Sequence, residues 1–71
     1  MSAKKETFKI LDHYRPGDRF SGTQLMGEVK RRTGETHYPS SMLRYMREYR
    51  RTTGREIRNI DKRRSIYEVL G

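Results

Sequence analysis

The side chains with the most chemistry to offer are cations, and they crowd the second half of the chain. Residues 44–64 hold nine basic residues against three acidic ones, a local charge of +6 in a chain whose net charge is +8. Guanidinium groups donate paired hydrogen bonds to phosphate oxygens, and to O6 and N7 of guanine. Clustered positive charge therefore points to a polyanionic partner, with phosphate backbone the commonest. A solubilising surface is the plainer explanation, and the skew toward one end of the chain argues against it. Catalytic chemistry finds no comparable support. Asp, His and Ser are present, but no spacing sets a nucleophile, a base and an orienting group together. Asp12 and His13 are neighbours and leave a helix in different directions. Two histidines and no cysteine offer neither a zinc-binding pattern nor a disulfide. Gly17, Gly22 and Gly27 are too scattered for a phosphate-binding loop. The expectation is a binding protein: not an enzyme, with no cofactor and no metal.

Seventy-one residues hold one domain, with no separate effector or dimerisation domain expected. Only 31% of them are hydrophobic, so a small core must be well placed to hold the fold. No apolar run approaches the length of a membrane span or a signal-peptide core. The chain reads as soluble and intracellular (cytoplasm or nucleoid, or nucleus in a eukaryote), with no membrane partner.

Glycine and proline punctuate the elements that must position the cations. Residues 3–14 predict a first helix, with Phe8, Ile10, Leu11 and Tyr14 on one face, Ser2 as cap, and Pro16-Gly17 ending it. Residues 18–20 predict a short extended segment with Phe20 inward. A second helix over 22–33 opens on a capping box of Ser21 with Gln24. It buries Leu25, Met26 and Val29 and stops at Gly34. After a tight connection, Pro39 starts a third helix over 39–52, ended by Gly54. Met42, Leu43, Met46 and Tyr49 are its predicted core residues. Ile57–Ile60 and Ser65–Leu70 are rich in β-branched and aromatic residues and flank a polar tip, Asp61–Arg64. They predict a hairpin over 56–70.

The order helix, short strand, helix, turn, helix, hairpin resembles the winged helix-turn-helix family, over residues 3–70. The resemblance rests on that order and on the Gly34–Pro39 turn, not on a sequence fingerprint. It implies a single α+β domain, mainly α, of three helices and a C-terminal β-hairpin wing. It further implies that helix 39–52 enters a major groove while wing tip 61–64 touches neighbouring backbone. Two features depart from the common pattern: the wing is short, and Glu48 is expected on the outward face of the third helix. There it would repel phosphate or accept from a cytosine amino group.

On helical spacing, the face opposite the core carries Ser41, Arg44, Glu48 and Arg51, with Ser40 and Arg47 on its margin. Arg44, in the early turns, is the leading candidate for a base contact; its plainer role is a surface pair with Glu48 at i+4. Lys62, Arg63 and Arg64 suit phosphate or a narrow minor groove, or else guard the edge of the sheet. Lys30, Arg31 and Arg32 suit the helix dipole and phosphate equally. Lys4 and Lys5 sit against the dipole, which asks for another role. His37 is a candidate phosphate donor. Tyr38 is expected as a hydrophobic staple, and Tyr45 as a half-buried packing residue. Double-stranded DNA is the expected partner, bound by a small transcriptional regulator or accessory factor. RNA, or a protein partner, is the alternative. A monomer is the default, with dimerisation on DNA left open.

Overall fold

Capping chemistry sets the element ends in the computed structural model, which describes residues 2–71. Helix α1 (Ala3–His13) starts where Ser2 Oγ accepts the Lys5 N–H at 3.4 Å. Its last residue is His13, one earlier than expected, with Tyr14 as the C-cap before the turn through Pro16 and Gly17. Strand β1 (Arg19–Ser21) follows, with Phe20 buried. Ser21 then caps α2 (Gly22–Thr33), its Oγ accepting the Gln24 N–H at 3.0 Å. Only this half of the expected capping box forms among the described residues. Ser21 is also the end of β1, in register with Ile66. Helix α3 (Pro39–Thr53) opens on its proline. Both α2 and α3 close on a left-handed glycine, Gly34 (φ 75°) and Gly54 (φ 73°), a conformation that costs other residues a Cβ clash.

Strands β2 (Ile57–Asp61) and β3 (Ile66–Val69) form the hairpin, and β1 pairs with the other side of β3. The sheet order is β1-β3-β2, antiparallel throughout. This is the winged helix topology.

The core lies between the helices and the sheet. Ile10 and Leu11 of α1, Leu25 and Val29 of α2, and Met42, Met46 and Tyr49 of α3 meet Phe20, Ile57, Tyr67 and Val69. Aromatic rings tie the layers. Phe20 stacks on Tyr14 at 4.8 Å and on Tyr67 at 5.5 Å, and Phe8 meets the Tyr49 ring edge-on at 5.2 Å. Met26, Phe8, Tyr14 and Tyr45 pack half-buried around this centre.

Two expected packing roles fail. Leu43 is 48% exposed and Tyr38 is 76% exposed, so neither a fourth core position on α3 nor a hydrophobic staple exists. The reason is the phase of α3. Its inner face is centred toward Tyr49 and Tyr45, the side where α1 packs, and this rotation lifts Leu43 out.

Two arginines of the basic segment serve the fold. Arg50 Nη1 donates to the Ile57 carbonyl at 3.1 Å. Arg55 does more. Its Nη2 donates to the Tyr14 carbonyl at 2.7 Å, its Nη1 to the Leu11 carbonyl at 2.8 Å and to Tyr49 Oη at 3.1 Å, and its Nε to the Gly71 carbonyl at 2.8 Å. The Tyr49 hydroxyl in turn donates to Asp12 Oδ1 at 2.8 Å. Burial of that phenol raises its pKa above the ordinary tyrosine value. One guanidinium thus binds the Leu11 carbonyl, which also accepts the Tyr14 N–H, and the Tyr14 carbonyl just past the end of α1.

Candidate nucleic-acid interface

The rotation that exposes Leu43 also re-sorts the polar face of α3. Ser40, Arg44, Arg47 and Arg51 are all exposed and follow one another at helical spacing, so they form the outward stripe. Ser40 and Arg47, expected on its margin, belong to it. Ser41 and Glu48, expected within it, turn toward α1 and are only half exposed. Glu48 Oε2 is buried against the Lys4 ammonium, 2.9 Å away. Glu48 is therefore not an outward acid, and Lys4 acquires the role that the dipole argument lacked.

Arg44 does not pair with Glu48. Its guanidinium lies over the Tyr45 ring, 5.4 Å from the centroid, which holds the side chain along the helix surface. Among the described residues Arg44, Arg47 and Arg51 make no ion pair. By contrast Arg31 is paired with Glu28, and Arg19 with Glu68.

The wing tip is built by side-chain-to-backbone bonds. Asn59 Oδ1 accepts the Asp61 N–H at 3.2 Å, and Asp61 Oδ1 accepts the Arg64 N–H at 3.1 Å. A register slip between Asn59 and Asp61 leaves Ile60 exposed, and Ser65 turns the corner at φ 52°. The Ser65 carbonyl accepts the Gly22 N–H at 2.9 Å, fastening the turn to the start of α2. Lys62, Arg63 and Arg64 are exposed on this turn, and only Arg64 approaches an acid, Asp61 at 3.9 Å. Wing and α3 adjoin across an apolar cleft of about 150 Å³ lined by Gly22, Met26, Pro39, Leu43, Met46 and Ser65 among others.

His37 lies in the connection before α3, half-buried, with Nε2 3.3 Å from Thr33 Oγ1. Lys30 is exposed on the last turns of α2, beside the same connection. Neither joins the α3 stripe. Among the described residues no helix is long and apolar enough to cross a membrane. Compared with models of protein families, with curated proteins and with solved structures, the chain matches none.

Glu48 lies within the field of the stripe, where Arg44 and Arg51 act on it. The hydrogen bond from Lys4 chiefly holds its carboxyl below the ordinary glutamate value, against some desolvation, and the charges of Lys4, Arg44 and Arg51 add to this. A lowered carboxyl pKa contributes stability that is complete above the ordinary value. It is lost as pH falls through the lowered one. Wild type and Glu48→Gln should therefore differ in stability at neutral pH and converge in acid, as the pH falls below the ordinary glutamate range. The same substitution removes a negative charge beside the arginines and is expected to tighten duplex binding about threefold at low salt. Weaker binding of Glu48→Gln in a fluorescence anisotropy titration would instead make Glu48 a direct acceptor from the ligand.

Proposed function

We propose that the domain binds double-stranded DNA, with α3 in the major groove and the 61–64 turn on neighbouring backbone. The supporting observation is the unpaired stripe of Ser40, Arg44, Arg47 and Arg51, beside a wing tip that adds Lys62, Arg63 and Arg64. Like charges held together on a surface repel one another and are relieved by a partner of opposite sign. The stripe mixes groups that bond phosphate with groups that read base edges. Arg44, nearest the helix start among the three arginines, is assigned a base contact; Arg51 and the wing are assigned to phosphates. A small transcriptional regulator or accessory factor has this make-up.

The test is fluorescence anisotropy with a labelled random-sequence duplex across a salt series, for wild type and Arg44→Ala. With about six phosphate contacts, affinity should fall on the order of a thousandfold between roughly 50 and 200 mM salt. Arg44→Ala should weaken binding at every salt concentration. Absence of binding at low salt would overturn the reading. Stronger binding to a structured RNA of equal length would move the assignment to RNA.

A further inference from the structure

We infer that Leu43 and the cleft beside it receive the 5-methyl group of a pyrimidine in the major groove. The inference rests on the duplex-binding reading above and adds which base feature the helix selects.

Leu43 is the only large apolar residue standing out from the middle of α3, at 48% exposure. It lies one residue from Arg44, on the flank of the stripe that faces the wing, and it forms one lip of the apolar cleft. Met26, Met42 and Met46 supply much of the cleft lining. Unbranched thioether side chains adapt to small apolar shapes. Small residues, Gly22 and Ser65, keep the opposite lip low.

The occupant is set by charge as much as by shape. Arg44 and Arg47 neighbour Leu43 along α3, by sequence and by helical spacing, and the Lys62–Arg64 turn precedes Ser65 on the other side, while no charged side chain lines the cleft itself. A group that enters between two cationic borders must be apolar itself and carried by a polyanion. In the major groove of a duplex the pyrimidine 5-methyl is such a group. Thymine and 5-methylcytosine both present it, from the same ring position. The cleft, at about 150 Å³, is larger than one methyl and has room for those of adjacent pyrimidines.

The test starts from duplexes selected by the wild-type domain out of a random pool. Each is remade with uracil for thymine, and separately with 5-methylcytosine for cytosine, and titrated against wild type, Leu43→Ala and Arg44→Ala. Wild type should bind the thymine duplex about fourfold more tightly than its uracil counterpart, the ratio expected for burying one methyl group. Leu43→Ala should bring that ratio to about one, while Arg44→Ala weakens both duplexes and keeps the ratio. A gain with 5-methylcytosine and no loss with uracil would make methylated cytosine the source of the methyl. Salt-sensitive binding that ignores both methyl groups would overturn this inference and leave duplex binding standing. No duplex binding would overturn both. Leu43 is a surface position, so its alanine variant should fold, and the base substitutions need no variant at all.

Discussion

Arg55→Ala is expected to lower stability by about 2–3 kcal/mol. The guanidinium satisfies the Leu11, Tyr14 and Gly71 carbonyls and the Tyr49 hydroxyl. Removing it takes the donor from the part-buried Tyr14 carbonyl, a loss of about 1–3 kcal/mol. The Leu11 carbonyl keeps the Tyr14 N–H, the Tyr49 hydroxyl keeps Asp12, and the exposed Gly71 carbonyl turns to water. A domain of this size is stable by only about 4–10 kcal/mol. The melting temperature should fall by roughly 10–20 °C. Arg55→Lys should recover little, because one ammonium cannot reproduce a planar fork that reaches three carbonyls. A thermal midpoint within about 5 °C of wild type would show that solvent replaces the fork without penalty.

The second large effect is on binding. Replacing Arg44, Arg47 and Arg51 together with alanine is expected to weaken duplex affinity by at least about a hundredfold at moderate salt. It should also make the logarithmic salt dependence shallower by about one to two, since Arg44 is assigned to a base and not to a phosphate. Stability should change by no more than about 1 kcal/mol, since these side chains are exposed, form no ion pair among the described residues, and lose only the Arg44 contact over Tyr45. Net charge alone is controlled for by a second triple variant, Arg15, Arg32 and Arg58 to alanine. Those cations are exposed on the turn after α1, the end of α2 and the sheet, away from the stripe. If both triple variants lose affinity equally, the attraction is diffuse and α3 has no privileged place in it.

Most of the architecture could be read from residue order, because its boundaries are local events. A serine cap, a first-turn proline and two glycines in left-handed geometry each act within one turn of helix. The hairpin was legible for a similar reason: two β-rich runs enclose a polar tip. The phase of α3 was not. Helical spacing gives the width of an apolar stripe but not which neighbour rotates it, and packing against α1 moved Leu43 outward and Glu48 inward. Arg55 was equally hidden. Its partners lie as far as 44 residues away in sequence, and three of them are backbone carbonyls, which leave no trace in side-chain pattern. The same applies to Lys4, whose pairing with Glu48 joins two helices. The basic segment was thus partly misread: charge counts do not separate arginines that clamp the fold from those facing outward.

The bond from Gly22 to the Ser65 carbonyl has a mechanical meaning. It ties the hairpin turn to the start of α2, while the Asn59 and Asp61 side-chain bonds hold the shape of the turn itself. Under the proposed binding, the two sets of cations would act like the jaws of a caliper whose gap is largely set before the ligand arrives. Little ordering remains to be lost on contact, which favours association. The cost falls on the ligand, which must either present a groove of matching width or deform to reach it. Sequence preference would then extend to base pairs that no side chain touches, through the ease with which they bend.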